Sequence, residues 1–214
     1  MAHPGLNRTF AVVVGVLALT ACGAPEPRAP TQNPGPPAHF PDRALPDGGF
    51  GSLRSARFFI ELPLPDFGTW SIDDRSNRWL VATHAASESA LYVRAWREGS
   101  VVAHQTCEAE ARSWRADLLG PSDAALTARR KLDAPEGFDT EVGFGVVPAA
   151  GGLSGVAAAF GARIRDCVVL VFTTRVSGPD GERALAARLA FVTERVFGEA
   201  KRLKVEDRFT PPSP

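Results

Sequence analysis

SVVAHQTCEAEARSWRADLLGP, Ser100 to Pro121, is the stretch whose reading decides the fold. Cys107, Ala111, Trp114 and Leu118 recur at spacings of four, three and four, which is one face of an α-helix. The spacing predicts a helix over Val101 to Leu119, with Ser100 as its cap and Gly120-Pro121 as its stop. On both sides of this segment the apolar residues alternate or run continuously, as strands do. A helix set between two groups of strands excludes an unbroken meander and predicts an α+β domain.

Upstream, Phe58-Phe59-Ile60-Glu61-Leu62-Pro63-Leu64-Pro65 is apolar and carries prolines, which suits an edge strand. Asp66-Phe67-Gly68 reads as a turn before Thr69-Trp70-Ser71-Ile72, and Asp73-Asp74-Arg75-Ser76-Asn77 as a second. Trp79–Thr83 and Ala90–Trp96 read as a strand pair about Ser87-Glu88-Ser89. Downstream, strand patterns return over 125–133, 138–147, 154–163 and 166–176. Gly178-Pro179-Asp180-Gly181 is a turn with Asp180 placed to cap a second helix, whose face is Leu185, Leu189, Val192 and Val196. Gly198 follows as its C-terminal cap, and a short strand is expected near 203–205. The sum is one domain, a mostly antiparallel sheet with two main helices packed on it.

This element order, with the Phe58–Pro65 opening and Trp70 beyond it, resembles the PsbP-like α/β/α sandwich. The resemblance rests on pattern across the whole domain, and that family shares no catalytic constellation. It therefore implies an accessory or binding role.

The N-terminal region is read differently. Ala11–Leu19 is a nine-residue apolar run after a short segment whose one charge is Arg8. That length suits the core of a secretory signal and falls short of the ~20 residues that span a bilayer. Leu19-Thr20-Ala21-Cys22 closes it and resembles the lipobox of bacterial lipoproteins. The resemblance implies cleavage before Cys22, a diacylglycerol thioether on its sulfur, and a membrane-held protein. Gly23 after that cysteine resembles sorting to the outer membrane of a two-membrane cell. Residues 24–49 are proline-rich without apolar periodicity, which predicts an extended tether. The expected division is a signal peptide over 1–21, lipidated cysteine and tether over 22–50, a globular domain over 51–208 and a tail over 209–214.

Charge excludes a broad class of partners. The chain carries 24 basic and 24 acidic residues, and loss of 1–21 removes Arg8 alone. A near-neutral domain lacks the positive field that nucleic acid requires, so none is expected. With Cys22 acylated, Cys107 and Cys167 remain as a pair in an oxidising compartment, which reads as one disulfide. The alternative, a metal held by His84, His104 and Cys107, lacks a paired ligand motif and requires a reduced thiol.

No catalytic set stands out. Gly152-Leu153-Ser154-Gly155 is not a nucleophile elbow, and Gly143-Phe144-Gly145 is not a phosphate loop. Asp73 and Asp74 are turn residues; Glu108 and Glu110 do not face each other on a helix. Gly68-Thr69-Trp70 matches the Gly-x-Trp of lipocalins, but the helix at 101–119 interrupts the meander that fold needs. His84 and His104 are the candidates for a base, provided a serine or carboxylate meets one of them in a cleft; His39 falls in the tether. Phe67, Phe138 and Phe144, with the glycines from Gly143 to Gly155, mark a possible groove or flexible edge. No cofactor or catalytic residue is expected. The expectation is a lipid-anchored, non-enzymatic accessory module with an envelope protein as partner; a carrier of a small apolar ligand and an envelope hydrolase are the alternatives.

Overall fold

A computed structural model describes residues 49–149, 152–176 and 181–203. Ten strands and two α-helices follow in order: β1 (Phe50–Ser55), β2 (Ile60–Pro65), β3 (Ser71–Asp73), β4 (Leu80–His84), β5 (Ser89–Arg97), α1 (His104–Trp114), β6 (Ala128–Leu132), β7 (Asp139–Ala149), β8 (Gly152–Arg163), β9 (Asp166–Val176), α2 (Gly181–Phe191) and β10 (Lys201–Arg202). Strands β3-β4-β5-β9-β8-β7-β6 form a seven-stranded antiparallel sheet, and β1-β2-β10 a small three-stranded one. This is the single-domain α+β fold that the switch of period predicted.

The large sheet is covered on both faces, and the alternation of side chains along β8 and β9 shows how. Val156, Ala158 and Phe160, with Val169 and Val171, join Ala111 of α1 and Leu118 in one cluster. Their neighbours Ala157 and Ala159, with Val168, Leu170 and Phe172, join Leu189 of α2, Val192, Val196 and the inner residues of β2 in another. The two helices thus lie on opposite faces, and the small sheet shares the α2 side. Strands buried on both sides must be apolar at nearly every position, which β8 is over Val156–Gly161 and β9 over Cys167–Phe172.

Three local features set the close packing. Cys107 of α1 and Cys167 of β9, both fully buried, are joined by a disulfide with their Cα atoms 5.6 Å apart. Trp114, at the far end of α1, meets Trp96 edge-on with ring centroids 4.8 Å apart, and the Arg94 guanidinium lies 3.7 Å from the Trp114 centroid. Beside them, Gly143 and Gly145 of β7 admit the connection from α1 to β6: a Cβ at Gly143 would stand 2.8 Å from the Cα of Pro121, and one at Gly145 would stand 2.8 Å from the Ala125 carbonyl oxygen.

Several expectations are corrected. α1 starts at His104, not Val101, because the Val102 amide donates to the Ile164 carbonyl at 2.8 Å; Ser100 is no cap, and Ala103 takes that position without a side-chain bond. The helix ends at Trp114, and Arg115–Leu118 form a turn. β2 is not an edge over its whole length. β10 pairs with Glu61 and Ile60, so only the half that carries Pro63 and Pro65 lacks a neighbour on that side. β1 has no counterpart in the sequence reading, which ended the tether at residue 50 and gave residues 51–57 no element. The last strand sits at Lys201–Arg202; residues 204 and 205, like the Asp180 cap, lie outside the described residues. After α2 the chain continues as a π-helical turn over Val192–Phe197, with Gly198 at its end in a right-handed conformation. Gly143, Gly145, Gly152 and Gly155 belong to the paired strands β7 and β8 inside the large sheet, not to a flexible edge.

Closing the 60-residue loop between the two cysteines stabilises the fold by roughly 4 kcal/mol on the chain-entropy estimate. The double variant Cys107→Ala/Cys167→Ala is expected to lose stability of about that size in urea unfolding. An unchanged unfolding midpoint would contradict the role given to the bridge.

Candidate functional site

Three places gather polar side chains. The first surrounds His84 at the end of β4. A single 3₁₀ turn, Ala85–Ser87, and Glu88 with φ of 49° carry the chain into β5, which brings Ser87 and Ser89 back beside the imidazole. His84 Nδ1 lies 2.7 Å from Ser87 Oγ; Ser87 Oγ donates to Ser89 Oγ at 2.9 Å, and Ser89 Oγ to Thr174 Oγ1 at 2.8 Å. Arg188 of α2 closes the chain, donating from Nη1 to the Ser87 carbonyl at 3.0 Å and to Thr174 Oγ1 at 2.9 Å. Trp70 lies against the ring with centroids 5.3 Å apart and donates its indole N–H to the Pro65 carbonyl.

This is a histidine–serine contact, but both partners are enclosed. His84 is 2% exposed and Ser87 4% exposed, so a substrate carbonyl has no approach to either. Burial pushes the His84 imidazole below its ordinary value, with Arg188 acting in the same direction and Asp66 against it. Asp66, itself buried, is pushed up by that burial.

The second place is the start of α1. His104 Nε2 stands 2.8 Å from Glu141 Oε2 and Nδ1 3.2 Å from Asp139 Oδ2, and Lys131 Nζ stands 2.9 Å from Asp139 Oδ1. The Lys131 ammonium, with His104 behind it, holds the Asp139 carboxyl below the usual carboxylate range. This cluster ties the helix to β7. His104 is 6% exposed.

The third place is open. A cleft of about 410 Å³ lies between the β1–β2 turn, the ends of β5 and β9, and β10. Its walls are formed by Arg57, Arg97 and Arg202, by Phe58, Phe59, Ala95, Trp96 and Leu203, and by a single carboxylate, Asp166. Arg202 donates to the Phe58 carbonyl at 3.3 Å, and its guanidinium stands 5.8 Å from the centroids of both Phe59 and Phe138. Arg57 stacks on Phe58 at 4.6 Å and donates to the Asp74 carbonyl. Burial lowers the Arg202 guanidinium from its ordinary value; Asp166 opposes this and Arg163 adds to it.

The other sequence candidates have structural roles. Asp73 accepts from the amides of Ser76 and Arg75, from the Ser76 hydroxyl and from Asn77 Nδ2; these bonds hold its carboxyl down to about 2. Glu108 is buried against Gly120, where it accepts from the Ser122 hydroxyl and pins the connection after α1. Cys107 is committed to its disulfide and offers no thiolate to a metal. Among the described residues, no three His, Cys, Asp or Glu are placed to hold a metal ion. Phe138 is buried, Phe144 packs on the core, and Phe67 lines a shallow hollow beside Asp66. Cys22 lies outside the described residues, as does His39. The apolar gap between the sheet and the π-helical turn, bounded by Trp70, Leu91, Phe172, Val192 and Val196, is too narrow for a water molecule. The cleft escaped the sequence reading because its walls come from four separated segments; Arg57-Phe58-Phe59 was its one local signal.

No family model matches the chain, and no curated protein matches it. Among solved structures, a crystal structure of a protein from Bacteroides thetaiotaomicron VPI-5482 at 1.50 Å resolution is similar at 10% identity. It aligns with 68% of this chain and 46% of its own, with a TM-score of 0.42. A likeness that distant carries no argument about either fold or function.

The buried imidazole gives a pH dependence with a definite sign. Because the folded His84 binds its proton more weakly than the unfolded side chain, the unfolded state holds more protons as pH falls below about 6.5. Stability is full above that pH and is lost below it. Asp66 acts oppositely and lower: its raised value means the folded state regains stability as pH falls toward the ordinary 3.8. The urea midpoint is expected to drop between about pH 7 and 5, and His84→Gln to flatten that drop. An equal drop in the variant would contradict this assignment.

Proposed function

We propose that the protein is a lipid-anchored lipoprotein of the bacterial cell envelope, held by acyl chains on Cys22 on the periplasmic face of the outer membrane. Its domain, similar in element order to the PsbP-like sandwich, acts as a non-enzymatic module that binds a partner in the envelope. One observation carries the non-enzymatic part: the two histidines with acid–base partners, His84 and His104, are both enclosed in the packed domain, whereas the open cleft is walled by guanidiniums and rings. Guanidiniums and aromatic rings recognise; they do not exchange protons near neutral pH. The lipobox-like run at Cys22 supports the anchor, and two or more acyl chains hold a protein where one chain does so only marginally. The narrow apolar gap leaves no room there for a carried lipid, which favours the module over the carrier.

Cell fractionation tests the anchor: wild type is expected in the membrane fraction and Cys22→Ser in the soluble one. Undiminished membrane association of the variant would overturn it. Hydrolytic turnover of ester or amide substrates, abolished by His84→Ala or His104→Ala, would overturn the non-enzymatic part.

A further inference from the structure

The walls of the open cleft carry more charge than they neutralise. Arg57, Arg97 and Arg202 face it, against Asp166 alone. Asp166 is already flanked across the strands by Arg97 on one side and Arg163 on the other. Among the described residues, none of the three lining arginines stands within ion-pair distance of a carboxylate; Arg57 and Arg202 donate to backbone carbonyls. Arg57 and Arg97 are exposed, whereas Arg202 is half-buried and has given up hydration that no carboxylate at ion-pair distance replaces. Such a group gains more from an incoming anion than an exposed lysine does, because its planar fork meets a carboxylate or phosphate with two parallel bonds.

The remaining wall is apolar: Phe59, Ala95 and Leu203 line it, and the volume of about 410 Å³ falls in the range of small-molecule sites. We propose that this cleft binds a small, soluble organic anion, a carboxylate or phosphate carried on an apolar body. The anionic group sits among Arg57, Arg97 and Arg202, and the apolar body lies along Phe59. A cationic ligand meets repulsion from three guanidiniums. The inference rests on the reading of the domain as a binding module and is independent of the lipid anchor.

Isothermal titration of the full chain in a non-ionic detergent, with phenyl phosphate and benzoate as probes, tests it. At least one of the two is expected to bind in the micromolar to millimolar range, with affinity falling as salt rises. Benzylamine, the cationic counterpart, is expected to give no binding. Arg97→Glu reverses an exposed charge and leaves the packing intact; it is expected to weaken the bound probe at least about tenfold. Arg202→Gln is expected to do the same, with circular dichroism confirming that each variant is folded. No heat from either anion at millimolar concentration would overturn the proposal, as would affinities unchanged in both variants. A Cys22→Ser chain that sediments with phosphatidylglycerol vesicles through Arg97 but binds neither probe would assign the cleft to a membrane surface and overturn it equally. None of these outcomes touches the anchoring result, which fractionation decides separately.

Discussion

Burial of the β8–β9 pair on both faces is the constraint on which the rest of the structure depends. Each strand presents apolar side chains above and below the sheet, so neither face can be left to water. One face is met by α1 and the connection that follows it, the other by α2, its π-helical continuation and the small sheet. The disulfide fixes the first cover directly onto β9, and the glycines of β7 let the connection after α1 lie close beside it. A change in any cover therefore exposes the same pair of strands.

The same packing distributes the polar chemistry. His84 and His104 sit where elements must be joined, the first between β4, β5 and α2, the second between α1 and β7. His84 bonds to Ser87, and His104 stands within ion-pair distance of Asp139 and Glu141, so they serve as ties. The charges that remain available to a ligand are pushed to the end of the sheet, where β1 turns into β2 and β10 closes the small sheet. The cleft lies there, lined by residues of both sheets, among them Arg57, Arg97 and Arg202.

Much of the fold was legible in the sequence. The strands of the large sheet and the α1 face follow from period and turn residues, and the Cys107–Cys167 pairing from the two cysteines left once Cys22 is set aside. β1 was not legible: of its six residues only Leu53 points a large side chain into the core, and its polar and glycine positions read like the proline-rich stretch before it. The start of α1 was misread because Val101 and Val102 continue the apolar pattern while the Val102 amide is already committed to Ile164. The candidate site was least legible. His84 and His104 announce themselves as residue types, but only the packing shows that they are enclosed, and arginines 145 positions apart in sequence meet only through β10. Nothing in the local pattern of Lys201-Arg202 distinguishes it from a solvated strand end.

In the proposed arrangement a modified cysteine displays this domain from a membrane. Intact-mass measurement of the chain purified from its native membranes, followed by sequencing of its N-terminal peptide, tests that most directly. The account predicts loss of residues 1–21 and a diacylglycerol thioether on Cys22. A mature chain that begins elsewhere, or that begins at Cys22 with an unmodified sulfur, would contradict it.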